Sequence, residues 1–168
     1  MATQQKDTSC CCPNFEPEAF QDKEITWKEK LFVQENVFCL FYIPLNFGGM
    51  MTRVESKLSA ASAKPEDNKD FMTVQRVDPC SPWSAEVYVT ATKDAVPDLK
   101  VTRLSGTFLA KVYEGPYSNI GTWVKDMHSH VKDKKEGKDT SQILAWYPTC
   151  PGCAKKYGTN YVVMLAQV

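Results

Sequence analysis

The sequence has few histidines and no excess charge of either sign: its 168 residues include two histidines, and 20 Lys and Arg balance 20 Asp and Glu. A protein that binds nucleic acid or an anionic membrane needs a basic surface, so a net charge of zero argues against both partners. Two histidines also disfavour imidazole-based catalysis of the Ser-His-Asp kind. The apolar fraction of 43% is still sufficient for a sizeable core.

Two kinds of apolar segment are missing as well. The N-terminus, MATQQKDTSCCC, lacks the apolar region of a secretory signal. No segment approaches the roughly 20 consecutive apolar residues that a membrane helix needs. We therefore expect a soluble, cytoplasmic protein. In a reducing compartment, its seven cysteines are expected to be free thiols or metal ligands rather than a disulfide framework.

The order of predicted elements is the same in both halves of the chain. After a polar arm, residues 1–28, the first half predicts a strand, a helix and two strands, at residues 31–44, 50–63, 71–77 and 84–92. The second half repeats this order at residues 101–115, 120–131, 141–147 and 160–168. Both helices have one apolar face, formed by Met50, Val54, Leu58 and Ala61 and by Ile120, Val124, Met127 and Val131.

This order predicts an α+β fold built from two βαββ units, approximately residues 29–96 and 97–168. One such unit cannot bury both faces of its small sheet alone. Two units joined edge to edge would form one antiparallel sheet with both helices on one face. The other face would remain an open groove, which is a favourable place for a ligand.

Strand 84–92 carries the catalytic candidates, Glu86 and Tyr88. Side chains alternate along a strand, so these two share the open face while small apolar residues pack under the helices. A carboxylate on an apolar face is partly desolvated, which raises its pKa and suits it to proton transfer, and the tyrosine can donate a hydrogen bond to a developing oxyanion. The carboxylate could instead pair with a cationic ligand. The same pattern is also typical of an ordinary solvent-facing pair.

Six further residues could line a groove beside this pair. They are aromatic residues at strand ends, one tyrosine of the first strand and two residues flanking a Gly-Pro break: Trp83, Trp146, Tyr147, Tyr42, Glu114 and Tyr117. Each is equally typical of a core or an ordinary surface. His128 and His130 lie about 200° apart on a helix and cannot share one metal, so we expect both to be solvated.

The segment CPGC places Cys150 and Cys153 at the spacing of a zinc knuckle, in which a turn brings two thiolates to one tetrahedral ion. The missing ligands could come from Cys10, Cys11 and Cys12, so that a structural zinc ion would join the arm to the last hairpin. A redox pair, a disulfide between arm and hairpin, and no role at all are the alternatives. No organic cofactor is predicted.

Several stretches resemble a known family. GTFLAKVYEGPYSNIGTWVKDM and SAEVYVTAT resemble segments of GyrI-like, or SOUL-type, small-molecule-binding domains. The longer string CCPNF, LFVQENVFCLFYIPLNFGGMMTR and WYPTCPGCAKKYGTNYVVMLAQV resembles a subgroup of this size that is labelled hydrolase. The resemblance covers nearly all of residues 29–168. The resemblance to the hydrolase-labelled subgroup also implies Cys11 and Cys12 as the partners of Cys150 and Cys153 in a zinc site.

The resemblance implies a function. Relatives hydrolyse cyclopropane-bearing electrophiles with a glutamate and a tyrosine, which implies a hydrolase with Glu86 and Tyr88 as its catalytic pair. Other relatives bind lipophilic cations or haem without chemistry, which implies a sequestering module as the alternative. In either case the partner is a small hydrophobic molecule, and we expect a monomer or a weak homodimer.

Overall fold

The computed structural model describes residues 15–41, 43–149, 154–155 and 158–168, with Ile43 and Asn68 described by their backbone alone. In these residues the chain forms seven strands and two α-helices, in the order β1 (Lys23–Leu40), β2 (Ile43–Pro44), α1 (Phe47–Ala60), β3 (Thr73–Asp78), β4 (Ser84–Thr90), β5 (Val101–Glu114), α2 (Ile120–Lys134), β6 (Ile143–Trp146) and β7 (Tyr161–Gln167). The α+β fold and its duplicated βαββ order, predicted from the sequence, are confirmed.

Each helix buries one apolar face. In α1 this face consists of Met50, Val54 and Leu58, as the spacing predicts. In α2 the buried face is turned slightly from the predicted one, and Trp123 joins Met127 and Val131 in it. Within the described residues, no helix has the length and apolar character needed to cross a membrane.

The antiparallel sheet closes on itself. Its strands lie in the order β2-β1-β4-β3-β6-β7-β5, and β5 pairs in turn with β1. Closure is possible because β1 is 18 residues long and pairs with both β4 and β5. Phe32 pairs with Thr90 of β4 on one side and with Thr102 of β5 on the other. The sheet therefore has an inner and an outer face.

Both helices pack on the outer face, as predicted. Helix α1 covers a cluster that includes Val33, Val87 and Val89, and α2 covers a second cluster formed mainly by β6 and β7. Along each strand, these outward-facing apolar side chains alternate with side chains that face inward. This alternation is expected of a strand whose two faces lie in different surroundings.

The inner face differs from the open groove that the sequence predicts. Closure through β1 encloses most of this face around an apolar cluster, which contains Trp27, Phe32, Met72, Val74, Tyr88, Phe108, Ala110, Leu144, Trp146, Val163 and Leu165. Beyond Val33, β1 leaves β5 and continues along β4, and the inner face reaches solvent there. There Phe38 is 60% exposed. An open part of the inner face thus lies at this end of the closed sheet.

The N-terminal segment covers the inner face near β6 and β7. Phe20 packs edge-on against Trp146, with ring centroids 5.0 Å apart, and Phe15 lies 5.3 Å from the ring of Tyr161. β1 already begins at Lys23, which lies inside the arm predicted at residues 1–28. Trp27 is buried in the inner cluster as a result.

The expectation that both histidines are solvated is wrong for His130, whose side chain is 14% exposed, whereas that of His128 is 35% exposed. His128 Nε2 lies 2.7 Å from Asp78 Oδ2, which joins α2 to the end of β3. His130 Nε2 lies 2.8 Å from Asp22 Oδ1, close enough for an ion pair but not aligned for a hydrogen bond. Their opposite directions, which the helical spacing predicts, lead them to different carboxylates.

Candidate functional site

The hairpin of β3 and β4 builds a polar cluster at the open end of the inner face. The two strands are antiparallel, with Val74 opposite Tyr88, and this register continues to place Arg76 opposite Glu86. Since side chains two apart share a face, all four point to the inner side of the sheet. Val74 and Tyr88 lie deeper, in the inner cluster, and the charged Arg76 and Glu86 lie at the rim.

Arg76, Glu86 and Tyr88, called the inner trio here, form a closed triangle. The Tyr88 hydroxyl donates to Glu86 Oε2 over 2.6 Å, and Arg76 Nη2 donates to the Tyr88 hydroxyl over 3.0 Å. The third side is the ion pair of Arg76 Nη1 with Glu86 Oε2, at 3.1 Å. Each group thus holds the other two in place.

Burial controls the protonation of Tyr88. Its side chain is only 3% exposed, with the ring in the inner cluster. Desolvation is the main cause that raises the pKa of Tyr88 to about 12, and the hydrogen bond to Glu86 acts in the same direction against the opposing Arg76. The phenol therefore remains protonated near neutral pH and acts as a donor to the carboxylate.

A cavity of about 160 Å³ opens beside the two charged residues. Arg76 and Glu86 form part of its wall, and the β3–β4 turn and the start of β4 supply the rest, through Pro79, Cys80, Ser81 and Ser84. The side chains of Arg76 and Glu86 are 30% and 33% exposed, so a molecule in the cavity would touch both.

Three exposed aromatic side chains lie near Ser84 of the cavity wall, although none of them is part of that wall. Phe38 stands directly opposite Ser84 in the β1–β4 register. Trp83 precedes β4 and packs against Phe41, with ring centroids 5.4 Å apart. Both Trp83 and Phe41 are more than half exposed. Phe38, Phe41 and Trp83, called the aromatic ledge here, give an apolar surface next to a polar cluster, which is the usual composition of a small-molecule site.

A second cavity, of about 330 Å³, lies on the other side of the β1 end. Its wall combines the end of β1 with the first turns of α1, at Asn36, Val37, Phe38, Asn46, Gly49, Met50 and Arg53. Arg53 is paired there with Glu35 at 2.9 Å. Phe38 is the residue that this cavity shares with the aromatic ledge.

Four of the predicted groove residues lie in the described part of the chain but away from the inner trio. Trp146 is buried on the inner face, under Phe15 and Phe20. Tyr147 faces outward, where its hydroxyl donates to Gln75 over 3.3 Å and burial raises the pKa of its phenol.

Two predicted residues lie near the start of the second helix. The Tyr117 hydroxyl donates to the carbonyl of Thr149 over 3.2 Å. Glu114 accepts a hydrogen bond from the Thr159 hydroxyl. Tyr42 lies outside the described residues. Of the six predicted groove residues, Trp83 lies nearest along the chain to the cavity wall, because it directly precedes Ser84.

Sequence reasoning missed Arg76. The segment FMTVQRV predicts a strand in which Val74 and Arg76 share a face. The face on which Arg76 lies therefore follows from the sequence. Its position opposite Glu86 depends on the register across the turn at residues 79–83. Register between strands is a tertiary property that alternation within one strand does not supply.

The predicted zinc ligands lie outside the described residues, and zinc binding by Cys11, Cys12, Cys150 and Cys153 remains a prediction. The two described cysteines, Cys39 and Cys80, are free thiols. Burial raises the pKa of both, which keeps them as protonated thiols rather than reactive thiolates. Among the described residues, no three His, Cys, Asp or Glu side chains are grouped as metal ligands.

Comparisons with known proteins agree with this fold. Among solved structures, the chain is similar to SAV2435 bound to tetraphenylphosphonium, with a TM-score of 0.51 and 9% sequence identity over 87% of this chain and 92% of that chain. At this identity the similarity shows the fold. A search of curated protein sequences gives no match. A family model described as bacterial hydrolase matches residues 2–168. The resemblance to GyrI-like proteins with a hydrolase label is thus confirmed, and the chain belongs to the bacterial hydrolase family.

Proposed function

We propose that this protein binds a small hydrophobic molecule at the open end of its closed sheet and hydrolyses an electrophilic group of that molecule. The observation that carries the proposal is the inner trio, in which the Glu86 carboxylate lies on the wall of a cavity and accepts a hydrogen bond from the buried phenol of Tyr88. The family description supports hydrolysis as the reaction class. The cytoplasmic location expected from the sequence is part of the same proposal.

Glu86 is the general base of the proposed reaction. Both contacts of its carboxylate go to Oε2, and Oε1 accepts no hydrogen bond from the described residues. A water molecule in the cavity can therefore donate to Oε1. As the water oxygen forms its bond to the electrophilic carbon, its proton passes to Glu86, and the electron pair of the breaking bond goes to the leaving oxygen or ring atom.

Tyr88 and Arg76 supply donors for the charge that develops. The Tyr88 proton points to Glu86 before reaction, so this phenol must turn from the carboxylate to the substrate when Glu86 accepts the water proton. The Arg76 guanidinium holds the hydroxyl at 3.0 Å and keeps it near the cavity rim. Donors that are positioned before charge develops lower the barrier of such reactions most effectively.

The test is turnover of uncharged aromatic electrophiles, with a naphthyl ester and a phenyl-substituted epoxide as substrates. We expect Glu86→Gln to lower kcat/KM by about a hundredfold or more, which is the usual contribution of a general base. The matched control is Asp126→Asn, because Asp126 also accepts a hydrogen bond from a tyrosine, Tyr113, but does so on the outer face. Equal turnover by the wild type and Glu86→Gln would sink the catalytic assignment.

Binding without chemistry is the second candidate. A solved structure that shares this fold was determined with the lipophilic cation tetraphenylphosphonium, which supports a sequestering role for apolar molecules. A haem-like ligand is less well supported, since both histidines of the chain are paired with aspartates through α2. Tight binding of an apolar probe, combined with no turnover of any electrophile, would select this candidate over the hydrolase.

A further inference from the structure

The inner trio is electrically balanced. Glu86 contributes one negative charge, Arg76 one positive charge, and Tyr88 is a neutral phenol near pH 7. The ion-pair distance of 3.1 Å means that the carboxylate at the rim already has its counter-charge. A cationic ligand would have to displace the guanidinium or share the carboxylate with it, and like charges brought together in a partly desolvated site repel.

The other carboxylates around this end of the sheet are also paired. Asp78, at the end of β3, lies 2.7 Å from His128. Glu35, beside Asn36 on β1, lies 2.9 Å from Arg53. Each of these described carboxylates already has a side-chain partner, and the charge of Glu35 is balanced by Arg53.

Arg76 has donors to spare. A guanidinium carries five N–H groups, and the contacts of Arg76 with Glu86 and Tyr88 involve one N–H of each terminal nitrogen. Its Nε is buried without a partner, while the side chain as a whole is 30% exposed at the cavity. The terminal N–H groups that face the cavity can donate to a carbonyl, ether or epoxide oxygen of a bound molecule.

We propose that Arg76 determines the ligand class of this site: the site accepts uncharged aromatic molecules that carry a hydrogen-bond acceptor, and it rejects lipophilic cations. This inference rests on the proposed function, because it takes the cavity and the aromatic ledge as the binding site. The rings of Phe38, Phe41 and Trp83 receive the apolar part of the ligand, and Arg76 receives its oxygen. The acceptor would then lie next to the atoms where the proposed reaction takes place.

The test compares three compounds with the same ring system and different charge. These are 2-acetylnaphthalene, which is neutral, naphthalen-2-ylmethyl-trimethylammonium, which is a cation, and 2-naphthoate, which is an anion. Dissociation constants from ligand-observed NMR titration would be compared in one buffer. We expect the wild type to bind the ketone about tenfold more tightly than the cation, because the ketone gains a hydrogen bond to a charged donor.

Removing the guanidinium should invert this preference. Arg76→Gln leaves Glu86 without its counter-charge, so we expect affinity for the cation to rise by about tenfold and affinity for the ketone to fall. The double variant Arg76→Gln/Glu86→Gln has no charge left and should lose the gained cation affinity. Arg53→Gln removes the same kind of ion pair from the second cavity and should leave the wild-type order unchanged.

A further variant keeps the test independent of how Arg76→Gln folds. Glu86→Gln leaves Arg76 unpaired, and we expect it to bind 2-naphthoate about tenfold more tightly than the wild type does. Equal affinity of the wild type for ketone and cation, or an unchanged ratio in Arg76→Gln, would overturn the role of Arg76. Failure of all three compounds to bind the wild type would instead refute the proposed binding site, and the inference with it.

Discussion

Two clusters in this fold contain the same three chemical groups: a tyrosine hydroxyl, a carboxylate and a side-chain cation. The first is the inner trio. The second, called the outer trio here, consists of Lys111, Tyr113 and Asp126. Its carboxylate accepts hydrogen bonds from the tyrosine over 2.5 Å and from the lysine over 2.6 Å. The tyrosine–carboxylate hydrogen bonds are similarly short in the two clusters, at 2.6 Å and 2.5 Å, so this distance alone does not separate a site from a structural contact.

The two trios differ in what they connect. The outer trio joins β5 to α2, and Trp123 of that helix stacks on the ring of Tyr113 with centroids 5.4 Å apart. It holds a helix on the sheet. The inner trio lies within one hairpin and joins strands that already pair with each other. Its bonds add little to the arrangement of elements, yet they place a carboxylate and a guanidinium on a cavity wall.

The surroundings differ as well. Neither of the two described cavities is lined by a residue of the outer trio. The aromatic ledge lies near the inner trio, and its rings are exposed to solvent rather than packed in a core. Polar groups that converge next to exposed apolar surface are typical of binding sites, while the same groups under a packed helix stabilise the fold.

The largest expected difference concerns the tryptophan beside each trio. Trp123 is buried, and we expect Trp123→Ala to lower the free energy of unfolding by about 3 kcal/mol or more, since a large side chain is removed from the core. Trp83 is 51% exposed. Trp83→Ala should change stability by less than about 0.5 kcal/mol but weaken the binding of 2-acetylnaphthalene several-fold.

Chemical denaturation of both variants, with the ligand titration on Trp83→Ala, checks this contrast. A loss of stability in Trp83→Ala as large as that in Trp123→Ala would mean that the aromatic ledge belongs to the core. Unchanged ligand affinity in Trp83→Ala would remove the ledge from the proposed site.

Removing one hydroxyl from each trio gives the next largest difference. We expect Tyr88→Phe to lower kcat by about a hundredfold, because a donor to the developing charge is lost. Tyr113→Phe removes an equally short hydrogen bond from the outer trio and should leave kcat unchanged. Steady-state kinetics on the naphthyl ester would measure both, and equal losses in the two variants would argue for a general structural effect instead.

Much of this arrangement follows from local patterns in the sequence. Alternation along strand 84–92 predicts that Glu86 and Tyr88 share a face, because the direction of a strand side chain depends on its immediate neighbours. The helical faces follow from the same kind of local periodicity. The contact of Glu86 with Arg76 does not, because 10 positions separate them and the turn between the strands fixes their register.

Closure of the sheet was hidden for a different reason. Trp27 and Phe32 both face inward although five positions separate them, which strict alternation would place on opposite faces. A bulge between Trp27 and Lys30 resets the period, and Glu29 adopts a φ of 52° there. Alternation in the sequence does not reveal this bulge. The polar residues around Trp27 therefore resemble an unpaired arm, and the sequence does not predict the pairing of β1 with β5.

The smallest expected difference is the pH dependence of stability that the outer trio provides. The hydrogen bond from Lys111, followed by that from Tyr113, lowers the pKa of Asp126 below its ordinary value of 3.8. A carboxyl whose pKa is lowered by folding stabilises the protein above that ordinary value, and this stability is lost as the pH falls through the folded pKa. Because the Asp126 side chain is 48% exposed, solvent screening limits the contribution to about 0.5 kcal/mol. The free energy of unfolding of the wild type and of Asp126→Asn can be measured with urea at pH 7 and pH 3. The loss of this free energy between the two pH values should be slightly smaller in the variant. An identical loss in both proteins would mean that the outer trio adds no net stability.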